Sequence, residues 1–190
     1  MNWGLFNFIN IKFLIFPGLF LFTFFLNFPV LAKDRFYPDK IWGNVSGWVI
    51  YWNNLRTSCI ASGKYQDGTI FWMGRGGGDG NHKFIAFAHK NWTGIKEFKD
   101  YRFNVVFNGR RNWKVNFYGI KIKSLGISGF EVQGLNNRFF NEIARASNVA
   151  FYIGDKKIMK LRLRGTSRAI KSLYKCDNQI ASNGKIYFGK

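Results

Sequence analysis

The sequence has few of the side chains from which catalytic and metal sites are most often built. Its 190 residues include only 10 acidic side chains, two histidines and two cysteines. Paired carboxylates for acid–base chemistry, or ligands for a metal ion, must therefore come from a small supply. The G-x-S-x-G motif of many hydrolases does not occur. These shortages predict a non-enzymatic protein without a cofactor or metal. The alternative is a hydrolase that uses an unrecognised site.

The two histidines and the glycine-rich stretch Gly74–His82 are the remaining candidates for chemistry. If His82 and His89 lie on one strand, their odd spacing directs them to opposite faces, so they do not share a metal ion. The glycines lie between two apolar segments, Thr69–Met73 and Lys83–Ala88. A phosphate-binding loop leads into a helix whose N-terminus meets the phosphate. A strand after the glycines instead predicts a bend that joins two strands.

Residues 1–32 have the parts of a secretory signal peptide. Lys12 precedes an uncharged apolar run at residues 13–30, and Ala32 provides a small residue for cleavage just before a charged segment. Cleavage after Ala32 predicts a periplasmic or secreted protein. The apolar run is also about as long as a membrane span, so the alternative is an uncleaved segment that anchors the protein to the inner membrane.

The two cysteines, Cys59 and Cys176, form an even pair in a chain predicted to be exported. In an oxidising compartment such a pair predicts a disulfide. Neither cysteine has a C-x-x-C partner for metal or redox chemistry. Closing a loop of on the order of 100 residues stabilises a domain by roughly 4 to 5 kcal/mol on the chain-entropy model, which is comparable with the net stability of a small domain.

Alternating apolar residues predict an α+β fold with a mainly antiparallel, meander or sandwich-like sheet and two short helices. The clearest hairpin joins Tyr101–Asn108 to Asn112–Tyr118 through an Asn-Gly turn. Asn136 is placed to cap one helix. Thr166 or Ser167 is placed to cap the other, which delivers Cys176 to the sheet.

The predicted domain organisation is simple. Residues 33–45 form a linker after the leader, residues 46–176 form a single β-rich domain, and residues 177–190 form a loosely ordered tail. Two further hairpins turn at Asp67-Gly68 and at Gly154-Asp155.

Positive charge is the most pronounced compositional feature. Because Lys12 is the only charged residue in the leader, cleavage lowers the formal net charge only from +19 to +18. An excess of this size attracts polyanions of any kind. Selection for an anionic ligand is one explanation of this excess. Codon composition is another, because Lys, Asn, Ile and Phe have AT-rich codons. The base composition of the genome would then raise the lysine count without selection for a ligand.

Six basic residues are the candidates for an anionic-partner site: Arg110, Arg111, Lys114, Lys160, Arg162 and Arg164. The last three alternate with apolar residues, so they project from one strand face. If their strand neighbours the strand of the first three, a positive surface results. It suits an anionic envelope polymer, lipid head groups or an acidic protein. The alternative is a solvated face without a ligand. No nucleic-acid-binding motif is present, so nucleic acid would be held only through phosphate charge.

Two segments carry a family resemblance. Residues 161–176, LRLRGTSRAIKSLYKC, contain the signature L-x-G-[ST]-x-x-A-x-x-x-L-x-x-C, and residues 65–74 read YQDGTIFWMG. Together they resemble a group of exported, largely uncharacterised proteobacterial proteins, many of them alphaproteobacterial. The residues that carry the resemblance are Asp67, Gly68, Thr69, Gly165, Thr166, Ala169, Leu173 and Cys176. It implies a periplasmic location and a small β-rich disulfide-bonded domain, with no established activity or cofactor.

Overall fold

Ten strands and two helices make up the part of the chain that the computed structural model describes, residues 34–76 and 82–182. The strands are β1 (Lys40–Val45), β2 (Trp48–Asn53), β3 (Ser58–Lys64), β4 (Ile70–Gly76), β5 (His82–His89), β6 (Asp100–Phe107), β7 (Arg111–Ile122), β8 (Ile127–Leu135), β9 (Asn148–Ile153) and β10 (Lys156–Arg162). The helices are α1 (Asn137–Arg145) and α2 (Thr166–Ser182), and a short 3-10 helix spans Lys123–Leu125. The predicted α+β class with a mainly antiparallel sheet and two helices is confirmed.

These strands form one sheet in the order β1-β2-β3-β4-β5-β8-β7-β6-β9-β10, with antiparallel neighbours. The three predicted hairpins, β3–β4, β6–β7 and β9–β10, are confirmed. In the β6–β7 turn, Asn108 and Gly109 have φ angles of 50° and 71°. Asparagine and glycine adopt this left-handed conformation at low cost, so the turn residues favour this hairpin.

The glycine-rich stretch joins two paired strands. β4 and β5 are antiparallel, and their pairing extends to Gly76 opposite His82. Residues 77–81 lie outside the described residues. A strand, and not the helix that a phosphate-binding loop needs, therefore follows the glycines. The predicted bend itself falls on the residues outside the described part of the chain.

The sheet curls so that its two ends approach each other. The indole N–H of Trp48 on β2 donates to the carbonyl oxygen of Arg164, just after β10, at 3.2 Å. The hydroxyl of Tyr65, after β3, donates to the carbonyl oxygen of Arg162 at 3.1 Å. Between these contacts, a Cβ on Gly165 would lie 2.6 Å from Cβ of Ser46, and Gly165 has a φ angle of 81°. Glycine therefore permits both the close approach and the backbone conformation.

The inner face of the curled sheet carries the main core. Phe87 on β5 lies in a group of phenylalanines, with its ring centroid 4.6 Å from that of Phe151 and 5.2 Å from that of Phe117. Each fully buried side chain of this kind contributes roughly 1.5–3 kcal/mol through the hydrophobic effect. The two helices complete this core with Phe139, Phe140 and Ile143 of α1 and with Ala169, Ile170, Leu173 and Cys176 of α2.

The predicted cap of α1 and the predicted disulfide lie where the helices meet the sheet. Thr166 does not cap α2, because it is the first residue of the helix and its hydroxyl donates to the carbonyl oxygen of Leu163 at 2.8 Å. The side chain of Asn136 accepts a hydrogen bond of 2.9 Å from the N–H of Phe139 and so caps α1. At the other helix, Cys176 of α2 forms the disulfide with Cys59 of β3, with a Cα–Cα distance of 6.1 Å and a sequence separation of 117. Both cysteines are fully buried.

Two segment interpretations are wrong. Residues 40–45 belong to β1 at the edge of the sheet, not to a linker. Its side chains are mostly exposed, so the alternation that marks a buried strand is weak. The supposed tail continues α2 through Ser182. Ile180 packs against the core one heptad after Leu173, so the apolar stripe of the helix extends past Cys176.

A second apolar cluster lies on the outer face over β3, β4 and β5. Phe36, from the segment before β1, stacks on Trp72 with a centroid distance of 4.7 Å. The guanidinium of Arg56 lies 4.0 Å from the ring centroid of Phe84. The hydroxyl of Tyr51 donates to the carbonyl oxygen of Phe36 at 2.8 Å, and burial raises the pKa of Tyr51. One half of the outer face is therefore apolar.

Candidate anion-binding face

The other half of the outer face carries exposed cations on β6, β7 and β10. We call it the basic face and define it by Arg102, Lys114, Lys157, Lys160 and Arg162. Apart from a bulge near Lys157, alternation along the strands causes this arrangement, because the neighbouring residues turn inward. Phe103 and Leu161, for example, are buried in the main core. Strand β9 lies between β6 and β10 and completes the surface.

The strand registers place these cations in rows. Lys114 pairs with Asn104 on β6, Asn104 pairs with Tyr152 on β9, and Tyr152 pairs with Lys157 on β10. Strands lie about 4.8 Å apart, so the two lysines at the ends of this row are about 14 Å apart. Lys160 lies in the next row, opposite Ala150. The basic face is thus a spread of separated cations.

Few acidic side chains offset this charge. Within residues 34–76 and 82–182, the ion pairs formed by Glu131 involve Arg35 and Arg56. The five cations of the basic face make no ion pair with a carboxylate in that part of the chain. Their charge therefore acts mainly on solvent ions and on ligands.

The structure separates the six basic residues predicted from the sequence. Lys114, Lys160 and Arg162 lie on the basic face. Arg164 is exposed beyond the end of β10. Arg110 lies in the β6–β7 turn and lines a cavity of about 260 Å³ beside α1, with Phe107, Asn108, Glu142 and Arg145.

Arg111 is the first residue of β7 and pairs with Phe107. The strands of the two predicted groups, β7 and β10, are not neighbours, since β6 and β9 lie between them. The positive surface therefore spans four strands instead of two.

Two cations of the basic face, Arg102 and Lys157, were not predicted from the sequence. Arg102 lies next to Phe103 in a strand whose alternation was clear, so its outward direction was available from the pattern. The register of β10 shifts between Lys157 and Met159, so Lys157 lies beside a bulge. A bulge shifts the alternation by one residue, so the sequence pattern alone does not predict on which face of the sheet Lys157 lies.

Glu131 is the one glutamate with a fully buried side chain among the described residues, and its contacts are structural. Its carboxylate accepts hydrogen bonds from Arg56 at 2.6 Å, from Arg35 at 3.2 Å and from the amide of Gln133 at 2.8 Å. Burial and the nearby charge of Glu131 raise the pKa of Tyr118. Because both carboxylate oxygens are engaged by the chain itself, Glu131 is poorly placed to act on a substrate.

The histidines do not form a joint site. β5 begins at His82 and ends at His89, so strand alternation directs them to opposite faces, as predicted. Ser128 on β8 pairs with His89. However, Nδ1 of His89 accepts the N–H of Asn91 at 3.0 Å, and Nε2 contacts the carbonyl oxygen of Asp67 at 2.7 Å. Both ring nitrogens therefore hold loops in place.

Among residues 34–76 and 82–182, no group of three or more His, Cys, Asp or Glu side chains is arranged to hold a metal ion. None of the helices described there is long and apolar enough to cross a lipid bilayer. Residues 1–33, which contain the predicted leader, lie outside the described residues.

No family model matches this chain, and neither the curated proteins nor the solved structures contain a match. The resemblance of residues 161–176 to exported proteobacterial proteins therefore stays a prediction.

Proposed function

We propose that this chain is an exported, non-enzymatic domain that binds an anionic component of the cell envelope through its basic face. The observation that carries the proposal is the set of five exposed cations within four consecutive strands of the sheet, without an ion pair to a carboxylate in the described part of the chain. A surface of this kind costs stability through self-repulsion. Neutralisation by an anionic partner offsets that cost.

The disulfide supports the exported location. Cys59 and Cys176 are bonded, and protein disulfides persist mainly in oxidising compartments. The leader-like composition of residues 1–32 points the same way. In the periplasm or outside the cell, the anionic partners within reach are envelope polymers and lipid head groups.

Binding through separated cations has a characteristic dependence on salt. Each cation that neutralises an anionic group releases a counterion, so affinity falls steeply as the salt concentration rises. If all five cations take part, affinity for a flexible polyanion falls by roughly a hundredfold between about 50 and 200 mM salt. A diffuse attraction to a chain whose formal net charge is +19, or +18 after cleavage of the leader, is also salt-sensitive, so salt alone does not identify a site.

Paired charge reversals separate a site from diffuse charge. The test variant is Lys160→Glu with Arg162→Glu on the basic face. The matched control is Arg168→Glu with Lys171→Glu, two exposed cations on α2. Both variants replace one arginine and one lysine and change the net charge equally. Binding to polyphosphate is measured by titration calorimetry at low salt, and melting temperatures verify folding.

The two variants distinguish the outcomes directly. We expect the basic-face variant to lose at least about tenfold in affinity relative to the control, because it removes two contacts and adds local repulsion. Equal losses from both variants would mean that the charge acts diffusely and that the basic face is not a site. That result would favour codon composition as the source of the excess lysine.

A further inference from the structure

An open groove of about 580 Å³ lies within the basic face, between β6 and β7. Four side chains line it: Asp100, Arg102, Lys114 and Asn116. Asp100 and Arg102 are successive outward residues of β6, and Lys114 and Asn116 are successive outward residues of β7. Arg102 pairs with Asn116 across the two strands. The groove therefore brings two cations, one carboxylate and one amide onto a small area.

The charged side chains of the groove form no ion pair with one another. Asp100 forms no ion pair with a described cation, although Arg102 and Lys114 line the same groove. All four side chains are exposed. Their polar atoms are thus separated by space that a ligand can enter, and each retains hydrogen-bonding capacity for it.

A carboxylate is out of place in a groove that binds anions by charge alone. It repels each anionic group that approaches Arg102 and Lys114. A ligand that carries hydroxyl groups beside its anionic group reverses this effect, because the carboxylate of Asp100 accepts hydrogen bonds from hydroxyls. Asn116 adds both a donor and an acceptor. The mixture suits a ligand that is both acidic and polyhydroxylated.

We propose that this groove binds an acidic sugar unit of an anionic glycan. Arg102 and Lys114 hold the anionic group of the sugar, and Asp100 and Asn116 hydrogen-bond its hydroxyl groups. Single-stranded nucleic acid is favoured less, because its binding sites stack bases on aromatic rings and the side chains that line this groove are all polar. The inference rests on the proposed function, since the groove is part of the basic face.

The direction in which one substitution changes the affinity tests the assignment of the groove to an acidic sugar. Asp100→Asn removes a negative charge, so attraction by charge alone predicts stronger binding to every polyanion. Recognition of a sugar instead predicts that the same variant binds a short oligogalacturonate about fivefold more weakly, since a charged acceptor is lost, while it binds tripolyphosphate more tightly. Asp155→Asn is the control, because Asp155 is an exposed aspartate in the β9–β10 turn outside the groove and its replacement changes the net charge equally.

A second variant keeps the net charge constant. Asn116→Ala is expected to weaken oligogalacturonate binding by a few-fold and to leave tripolyphosphate binding unchanged. Affinities are measured by titration calorimetry on the folded, disulfide-bonded protein, with melting temperature as the folding control.

The outcomes separate the two proposals. If the unmodified protein binds both ligands but Asp100→Asn strengthens both, the sugar assignment is overturned and the anion-binding face stands. Failure of the unmodified protein to bind oligogalacturonate also overturns the sugar assignment. If neither the short ligands nor polyphosphate binds in a salt-sensitive way, the proposed function itself fails.

Discussion

The carboxylate of Asp177 accepts a hydrogen bond of 2.7 Å from the backbone N–H of Cys59. Asp177 directly follows Cys176, so α2 is tied to β3 twice, once by the disulfide and once by this hydrogen bond. The other carboxylate oxygen, Oδ2, is buried and has no hydrogen-bond partner among the described residues. Burial is the main cause that raises the pKa of Asp177 to about 6.

We expect Asp177 to make stability depend on pH. Its folded-state pKa lies above the ordinary value of 3.8, so between these values the folded protein holds a proton that the unfolded chain has released. The free energy of unfolding therefore falls as the pH rises from about 4 to about 6, and the loss is complete above that range. At neutral pH the folded protein thus retains an unfavourably buried carboxylate.

The substitution Asp177→Asn checks this expectation. Asparagine keeps an acceptor for the N–H of Cys59 but does not ionise. We expect its melting temperature to exceed that of the unmodified protein by a few degrees at pH 7, and the difference to shrink towards pH 4. Asp155→Asn, at an exposed position, is the control for the general effect of one charge. A difference that is the same at both pH values would show that titration of Asp177 is not its cause.

Removal of the disulfide should lower stability strongly. It closes a loop with a sequence separation of 117 residues and is fully buried. The double variant Cys59→Ala with Cys176→Ala is expected to lose roughly 4 kcal/mol in free energy of unfolding, because the unfolded chain regains the freedom of an open loop. Urea titration measures the loss. An unchanged denaturation midpoint would mean that packing of α2 alone holds the helix on the sheet.

The ion pair between Arg56 and Glu131 should be costly to break from one side. Glu131 is fully buried, so Arg56→Met leaves its carboxylate with Arg35 as the remaining cation. We expect a loss of about 3–5 kcal/mol, measured by urea titration. The double variant Arg56→Met with Glu131→Gln should lose less, because it leaves no buried charge. Arg168→Met, at an exposed position, should change stability by no more than about 0.5 kcal/mol. A loss from Arg56→Met as small as this control would refute the argument.

Export makes a prediction about mass. Protein recovered from the periplasm is expected to lack residues 1–32 and to weigh two hydrogens less than the dithiol form. Intact-mass spectrometry before and after reduction measures both differences. Recovery of full-length protein in the membrane fraction would favour the anchored alternative, and two free thiols would contradict an oxidising location.

Local features of the fold could be predicted because their causes are local. The Asn-Gly turn at Asn108 and the alternation around Phe103 determine a hairpin within a few residues. Asn136 caps α1 through a bond to a residue three positions away. The pairing of Cys59 with Cys176 could be predicted because the chain contains no other cysteine.

The set of residues that form the site was harder to predict from the sequence, because it depends on which strands become neighbours. Alternation showed that Lys160 and Arg162 face outward, but not that β9 and β6 separate their strand from Lys114. The groove at Asp100 also needs β6 and β7 in register. The cavity-lining position of Arg110 beside α1 was not predicted for the same reason.

By itself, the sequence determined the periodic elements, the turns, the disulfide and the excess of positive charge, because each depends on neighbouring residues or on counting. Only the tertiary structure decided that β5 pairs with β8 and β6 with β9, and that Glu131 meets Arg35 and Arg56. Many strand orders satisfy the same backbone hydrogen bonds and bury the same faces. The choice among them depends on the sum of long-range packing contacts, which no local pattern encodes.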